Sequence, residues 1–403
     1  MKLVEIISKL TSFVIVAILL GSQMHIVVIF INIGSYHVTR LEAAHNACKN
    51  LGWRLTAVQV TDDTLDHPWG DFSHHLAIPL ITLLPVTSQR YNTRKDSFSS
   101  VACKALNDCL SKLQPDAVLL PGWSTPVARE GLRWCRKFNT SAILMSETKE
   151  DDAPRFWLVE ALKSKIIKQF GAALVGGKPQ KRYLTKLGMD SSSIFMGYDV
   201  VRNDSFNPDN IRSLPAPVEK RYFLAINRFV AKKNLNFLIS AYAAYQEIVG
   251  DSAWDLVLCG DGALRPKIEQ QISTLNLGGR VHLPGFLKED ELLPYFAHAS
   301  CFVHASSQEQ WGLVVNEAMA AGLPVLVSNR CGCFEDLVLD GITGFGFNPE
   351  NQPGLTQLML KISSGKVDLQ AMSQAALNYI QRFSPDLFGN GLTQAVEYAF
   401  ARS

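Results

Sequence analysis

The feature that most constrains the fold of this chain is a rhythm that runs, breaks and then starts again. In the first half, short apolar runs over 26–32, 54–60, 78–83, 117–121, 142–145, 172–175 and 194–197 read as strands. Stretches with helical spacing, such as 36–51, 98–113 and 155–170, fall between most of them. Alternation of this kind predicts parallel sheets with helices on both faces. Asn207-Pro208 and Pro215-Ala216-Pro217 then interrupt the pattern. Proline fixes φ and biases its predecessor toward extended backbone, so the interruption reads as a linker. Beyond it, strands are expected over 222–225, 256–258, 281–283, 301–304 and 324–327, with helices over 235–248, 264–275, 289–297 and 312–321. The expected organisation is two α/β domains, 24–212 and 213–378, and a helical tail over 379–403 that packs back on the first domain. Parallel α/β sheets bind ligands outside the C-terminal ends of their strands, and candidate sites are sought there.

Composition bounds the function. A chain of 403 residues is long enough for about two cores. Its 47% apolar and 19% charged residues are those of an ordered protein. A net charge of +2 gives no reason to expect a nucleic-acid partner, whose binding rests on phosphate neutralisation. Eight cysteines include no CxxC pair, which predicts reduced thiols, no zinc site and a cytoplasmic setting. At the N-terminus Lys2 and Lys9 precede an apolar run from Phe13 to Leu20, too short to span a bilayer. It has the length of a signal-peptide core. Because Met24 opens the first strand, residues 1–23 are expected to be an extension outside the native fold.

The most informative stretch is Ser306-Ser307-Gln308-Glu309-Gln310-Trp311-Gly312-Leu313-Val314-Val315-Asn316-Glu317. A buried strand ends at His304, a polar loop follows, and a helix begins near Gly312. The first amides of that helix, including Leu313 and Val314, lack intrahelical acceptors and carry the positive end of the dipole, so they suit a phosphate. Glycine at position 312 lets a ligand approach the backbone. Glu317 lies in the second turn, within reach of a diol on the phosphate chain, and Glu309 precedes the helix, where a sugar ring can be held. Upstream, Asn227-Arg228-Phe229-Val230-Ala231-Lys232-Lys233-Asn234 follows a strand. Arg228 and Lys233 there can stabilise a departing diphosphate without a metal, with Lys232 as the competitor for the second place.

These residues resemble the Glu-x7-Glu motif and the diphosphate-binding Arg and Lys of family 4 of the retaining glycosyltransferases, the glycosyl transferases group 1. The resemblance is strong over 222–348. It includes Gly260-Asp261-Gly262, the segment His282 to Phe286 whose backbone meets the nucleobase, Gly332 with Glu335, and Gly341-Ile342-Thr343-Gly344-Phe345. It implies the GT-B architecture, two Rossmann-like parallel-sheet domains facing a central cleft. It also implies transfer of a hexose from a nucleotide-diphosphate donor to a glycan or lipid-linked hydroxyl acceptor, with retention by same-face displacement. Carried over, Arg228, Lys233 and Glu309 are catalytic, and Glu317, Gly312, Leu313, Val314, Gly34, Phe286 and Gly260 bind the donor. No Asp-x-Asp triplet is present, so no metal and no other cofactor is expected. A nucleotide-sugar epimerase or hydrolase of the same architecture, or a non-catalytic nucleotide-sugar-binding protein, remains open on these motifs.

The first domain matches less well. Gly34 and Ser35 occupy the turn where the family has glycines, and His37 and Arg40 follow one helical turn apart, both expected to point into the cleft. The family's sugar-facing His is missing; Gly122-Trp123-Ser124 and Ser146-Glu147-Thr148 stand at those strand ends. Trp123 and Glu147 are therefore the acceptor-side candidates. Tyr198-Asp199-Val200-Val201 reads as hinge packing. Between 155 and 190, eight Lys or Arg stand against Glu160 and Asp190, a balance of +6, with an apolar stripe through Trp157, Leu162, Ile166 and Ile167. Such a face predicts either a solvated helix or peripheral contact with an anionic membrane on its cytoplasmic side.

Overall fold

The computed structural model describes residues 23–62, 76, 78–84 and 96–402. The N-terminal run through residue 22 and most of residues 62–75 and 87–96 lie outside them. The chain divides into two compact units. One comprises the chain up to Thr148, Arg155–Val200 and Pro385–Ser403; the other comprises Lys149–Pro154 and Val201–Ser384.

The first unit is a seven-stranded parallel sheet: β1 (His25–Phe30), β2 (Arg54–Thr61), β3 (Leu80–Leu84), β4 (Ala117–Pro121), β5 (Ser141–Ser146), β6 (Ala172–Val175) and β7 (Ile194–Met196), in the order β3-β2-β1-β4-β5-β6-β7. Successive side chains of a strand face opposite ways, and β1 shows why its sequence is apolar without interruption. Ile26, Val28 and Phe30 enter one core layer, and Val27 and Ile29 enter the other. The helix Pro385–Phe400 adds Phe388, Leu392, Ala395 and Val396 to the first of these layers.

Two glycines permit that helix to pack so closely. A Cβ on Gly389 would lie 2.6 Å from the Ala43 carbonyl oxygen, and one on Gly391 would lie 2.5 Å from that of Met196 and 2.8 Å from Leu174. Gly391→Ala is therefore a contest between two effects. Alanine favours a helix by about 1 kcal/mol over glycine, but forcing a methyl into a packed backbone contact costs about 1–3 kcal/mol. Crowding should win, because a backbone carbonyl in the sheet cannot swing aside. A lowered midpoint of thermal unfolding for Gly391→Ala is the expected result, and a raised one would contradict the packing.

The second unit is a six-stranded parallel sheet: β8 (Tyr222–Ile226), β9 (Asp255–Cys259), β10 (Val281–Gly285), β11 (Cys301–His304), β12 (Val325–Ser328) and β13 (Gly344–Phe347), in the order β10-β9-β8-β11-β12-β13. Tyr222 and Leu224 face one layer, and Phe223 and Ala225 the other. Two parallel Rossmann-like sheets thus stand where the two rhythms were read.

The partition corrects the expected boundary at 212/213, which falls at Val200/Val201. The residues between belong to the second unit for a packing reason. Phe206 meets Phe296 edge-on at 5.3 Å, Ile211 is buried in the same core, and the Asn203 side-chain amide donates to the Ile380 carbonyl at 3.1 Å. The proline-marked segment is thus the second unit's own lead-in. Likewise residues 379–384 stay with the second unit, where the Tyr379 hydroxyl donates to the Asp336 carbonyl at 3.0 Å.

Candidate functional site

In the second unit, the loops after β8, β9 and β10 are tied together at the C-terminal end of the sheet. The Asn227 amide donates to the Cys259 carbonyl at 2.9 Å, and the Gly260 amide to the Gly285 carbonyl at 2.7 Å. Gly260 has φ +126, and a Cβ there would fall 1.8 Å from the Asn227 carbonyl oxygen, so only glycine fits. This contact ties the turn that carries Arg228 to the β9 turn, while Phe286, next in sequence to Gly285, stands 76% exposed. Arg228 is itself exposed, with no ion-pair partner among the described residues.

The loop after β11 is fixed to the same region, because the Ser307 amide donates to the Lys232 carbonyl at 2.9 Å. That leaves the Lys233 ammonium to meet the Glu309 carboxylate in an ion pair, both side chains 13% exposed. Lys233, not Lys232, is therefore the lysine that joins the cluster. Beneath the pair, the Ser306 hydroxyl lies 3.3 Å from Glu309 Oε2 and 3.2 Å from His304 Nε2, and His304 Nε2 lies 3.4 Å from the same carboxylate oxygen. A carboxylate only accepts, so the imidazole proton belongs on Nε2, and Nδ1 is the bare nitrogen. His304 is completely buried, and Nδ1 has no partner among the described residues.

Opposing effects set the charge on this cluster. Burial pushes Glu309 upward, but the hydrogen bond from His304 and the positive charge of Lys233 outweigh it and hold the carboxyl well below the usual carboxylate range. For His304 burial is the largest effect and lowers its pKa, the Glu309 hydrogen bond works against that, and Lys233 adds to the lowering. Both shifts are downward, so Glu309 is a carboxylate and His304 a neutral imidazole at neutral pH.

Gly312 then turns the chain with φ +107 into the helix Leu313–Ala320. A Cβ at Gly312 would make only ordinary contacts, 3.4 Å from His304 Nε2 and 3.5 Å from Glu309 Cγ, so it is the left-handed turn that favours glycine. The amides of Leu313 and Val314, half-buried, have no intrahelical acceptor. Glu317 is buried on this helix, and the Trp311 indole is anchored by donating to Asn316 Oδ1 at 2.9 Å. Asn227 is buried beside Arg228 with both side-chain amide atoms lacking partners among the described residues. Buried polar atoms are almost always satisfied, so Asn227 and His304 leave hydrogen-bonding capacity near these strand ends. Neither was picked out from sequence. The available signal for His304 was a histidine closing the otherwise apolar strand Cys301–His304 at its ligand-facing end.

In the first unit the sequence-predicted residues separate. Gly34 caps the helix Ser35–Asn50, and its amide donates to His37 Nδ1 at 3.0 Å, while the His37 ring lies 4.4 Å from Phe30. His37 therefore closes its own turn. Arg40, expected at the wall of a cleft, is instead 2% exposed, 3.3 Å from Asp199 and 4.5 Å from the Tyr198 ring. Its guanidinium is taken up by the buried Asp199 carboxyl, 159 positions along the chain, a pairing that helical spacing around Arg40 does not disclose. Burial above all, together with the neighbouring Glu147 carboxyl, pushes Asp199 well above the usual range against the pull of Arg40. Trp123 is half-buried, with the Lys163 ammonium 5.4 Å from its ring. All eight cysteines are free, seven of them buried.

Residues 206–379 match the family described as Glycosyl transferases group 1. The match spans all six strands of the second unit's sheet. The 2-deoxystreptamine N-acetyl-D-glucosaminyltransferase of Niallia circulans is 28% identical over 143 residues, 36% of each chain. The chain spans about a third of the length of the curated relatives it matches. Likeness of fold extends much further. Sucrose-phosphate synthase from Thermosynechococcus elongatus superposes with a TM-score of 0.75 at 20% identity, covering 94% of this chain and 100% of that one. Anabaena HepE in complex with UDP and glucose gives 0.67 at 17%, covering 92% and 98%. Both sheets thus belong to the GT-B architecture.

Proposed function

We propose that the chain is a retaining glycosyltransferase that moves a sugar from a nucleoside-diphosphate donor to a hydroxyl of a glycan or lipid-linked acceptor. The observation that carries this reading is the Lys233–Glu309 pair set beside Gly312 and the N-terminus of Leu313–Ala320. A cation, free helix amides and a carboxylate fixed in its charged form converge on one set of strand ends. That combination suits an anionic leaving group joined to a hydroxylated ring. HepE, of like fold, was crystallised with UDP and glucose, which supports a nucleotide-sugar donor here.

In this mechanism the bond from the anomeric carbon to the diphosphate breaks while the acceptor oxygen bonds the same face. The acceptor proton passes to the departing phosphate oxygen. Arg228, Lys233 and the amides of Leu313 and Val314 meet charge that grows as the bond breaks, so they stabilise the transition state more than the ground state. Glu309 holds the transferred sugar, Glu317 the ribose diol, and the exposed Phe286 segment the base. These fixed positive groups take the part a metal plays elsewhere, and activity is proposed to survive chelation.

The test is a thermal-shift series with UDP, GDP, ADP and their sugars, followed by a transfer assay with the donor that binds. A ligand at about a hundred times its Kd adds about 2.7 kcal/mol to apparent stability. One nucleotide class should raise the unfolding midpoint, and retained-configuration product should form with EDTA present. No shift with any nucleotide would overturn the reading. Free sugar or an epimer without transfer would replace it with a hydrolase or epimerase of the same architecture.

A further inference from the structure

The helix Trp157–Ile167 in the first unit divides the apolar stripe read from its sequence between two faces. Ile167 and Lys163 turn inward, where Ile167 is fully buried and the Lys163 ammonium donates to Glu160 at 2.6 Å and to the Tyr183 hydroxyl at 3.0 Å. Leu158, Leu162 and Lys165 follow i, i+4, i+7 along the opposite, exposed face. Phe156 and Trp157 project at the start of this helix, 68% and 77% exposed, and Leu158, Val159 and Leu162 are exposed beside them. Single exposed apolar residues are ordinary, but five large ones within seven positions form a patch of the kind that marks an interaction surface.

We propose that this face docks the protein on anionic lipid bilayers, with Phe156, Trp157, Leu158 and Leu162 entering the interface and a basic rim meeting the headgroups. The charge around the patch selects that occupant. Lys165 is exposed on the same helix and Lys168 at its C-terminal cap, and Arg136 and Lys137 are brought alongside by the hydrogen bond from the Arg136 guanidinium to Gln169 at 2.7 Å. The nearby carboxylates are engaged locally, Glu160 with Lys163 and Tyr183, and Glu130 with Arg133. The surface therefore presents apolar tips inside a positive field. A second copy docking on the same patch would bring like charge against like charge, whereas anionic headgroups complement it. Among the described residues no helix is long and apolar enough to cross a membrane, so the contact is peripheral.

Flotation of the full chain with vesicles of equimolar phosphatidylglycerol and phosphatidylcholine, and with phosphatidylcholine alone, tests this. Because the sequence from Phe13 to Leu20 is itself apolar, the decisive comparison is between the wild type and Trp157→Ser/Leu162→Ser. The wild type should float with anionic vesicles at low salt, and less as salt rises. The double variant should lose at least about tenfold in bound fraction while keeping any nucleotide-induced thermal shift. Lys165→Glu/Lys168→Glu should weaken binding to anionic vesicles in the same direction. Absence of wild-type flotation, or equal flotation of the serine variant, would overturn the proposal. So would sedimentation showing a dimer that the serine variant dissolves, since the patch would then be covered by a second copy.

Discussion

Lys233→Ala should lower turnover on the order of a hundred- to a thousandfold, the usual effect of deleting one preorganised group that meets charge developing in a transition state. The loss should fall on kcat more than on KM, because the lysine gains most of its interaction only as the diphosphate leaves. Near-normal turnover would remove Lys233 from the mechanism. The same substitution also acts on stability, because it strands Glu309 in a nearly closed site. Breaking a buried ion pair by removing one partner costs about 3–5 kcal/mol. The low end, about 3 kcal/mol, is expected here, since His304 and Ser306 still contact the carboxylate.

The pH dependence of that loss separates an ion pair from mere packing. Glu309 is held below its ordinary value of 4.5 in the folded protein. A depressed carboxyl contributes stability that is fully present above the unfolded value and is lost as pH falls through the folded one. In Lys233→Ala a main lowering influence is gone, so the folded pKa moves back up toward the ordinary value. The stability gap between wild type and variant should therefore be widest near neutrality and narrow as pH drops below the carboxylate range. Unfolding midpoints measured across that range give the answer. A gap independent of pH would mean that the lysine serves through its methylenes rather than its charge.

The fold was legible because a parallel sheet buried on both faces must be written as repeated apolar runs, and those runs are long enough to count. Boundaries were less so. Prolines at 208, 215 and 217 mark where backbone conformation is restricted, but which unit owns them depends on Phe206 and Ile211 meeting the second core, and that is long-range information. At the site, Lys233 and Glu309 were readable because each sits in a local motif at a strand end. Their direct pairing was not, because it joins residues 76 positions apart. Arg40 shows the limit most plainly. Helical spacing put it on a face with His37, yet spacing says nothing about Asp199, and a buried carboxylate decides where a guanidinium goes. His304 was passed over because a histidine inside an apolar strand reads as core until Ser306 and Glu309 are seen around its ring.

Combining Lys233→Ala with Glu309→Gln should make the protein more stable than either single variant while restoring no activity. Each single change leaves an uncompensated charge: the carboxylate in one case, the ammonium in the other. Removing both leaves a neutral amide of nearly the original shape beside Ser306, and replacing a buried pair by neutral groups is often close to neutral in stability. The coupling between the two positions should therefore be favourable to the double variant by about 0.5–3 kcal/mol, the range found for residues in direct contact. Turnover should behave otherwise, remaining as low as in the worse single variant, because neither group is present when the diphosphate departs. Glu309→Gln alone should be nearly as inactive as Lys233→Ala. Gln keeps the shape but cannot hold Lys233 by charge or accept hydrogen bonds from the sugar through two oxygens. If stability and turnover recovered together in the double variant, the pair would be a scaffold and the catalytic assignment would fail. If neither recovered, the ammonium and carboxylate would not be each other's principal partners in solution. Only recovery of stability without turnover fits a pair whose charges are held in place for the reaction rather than for the fold.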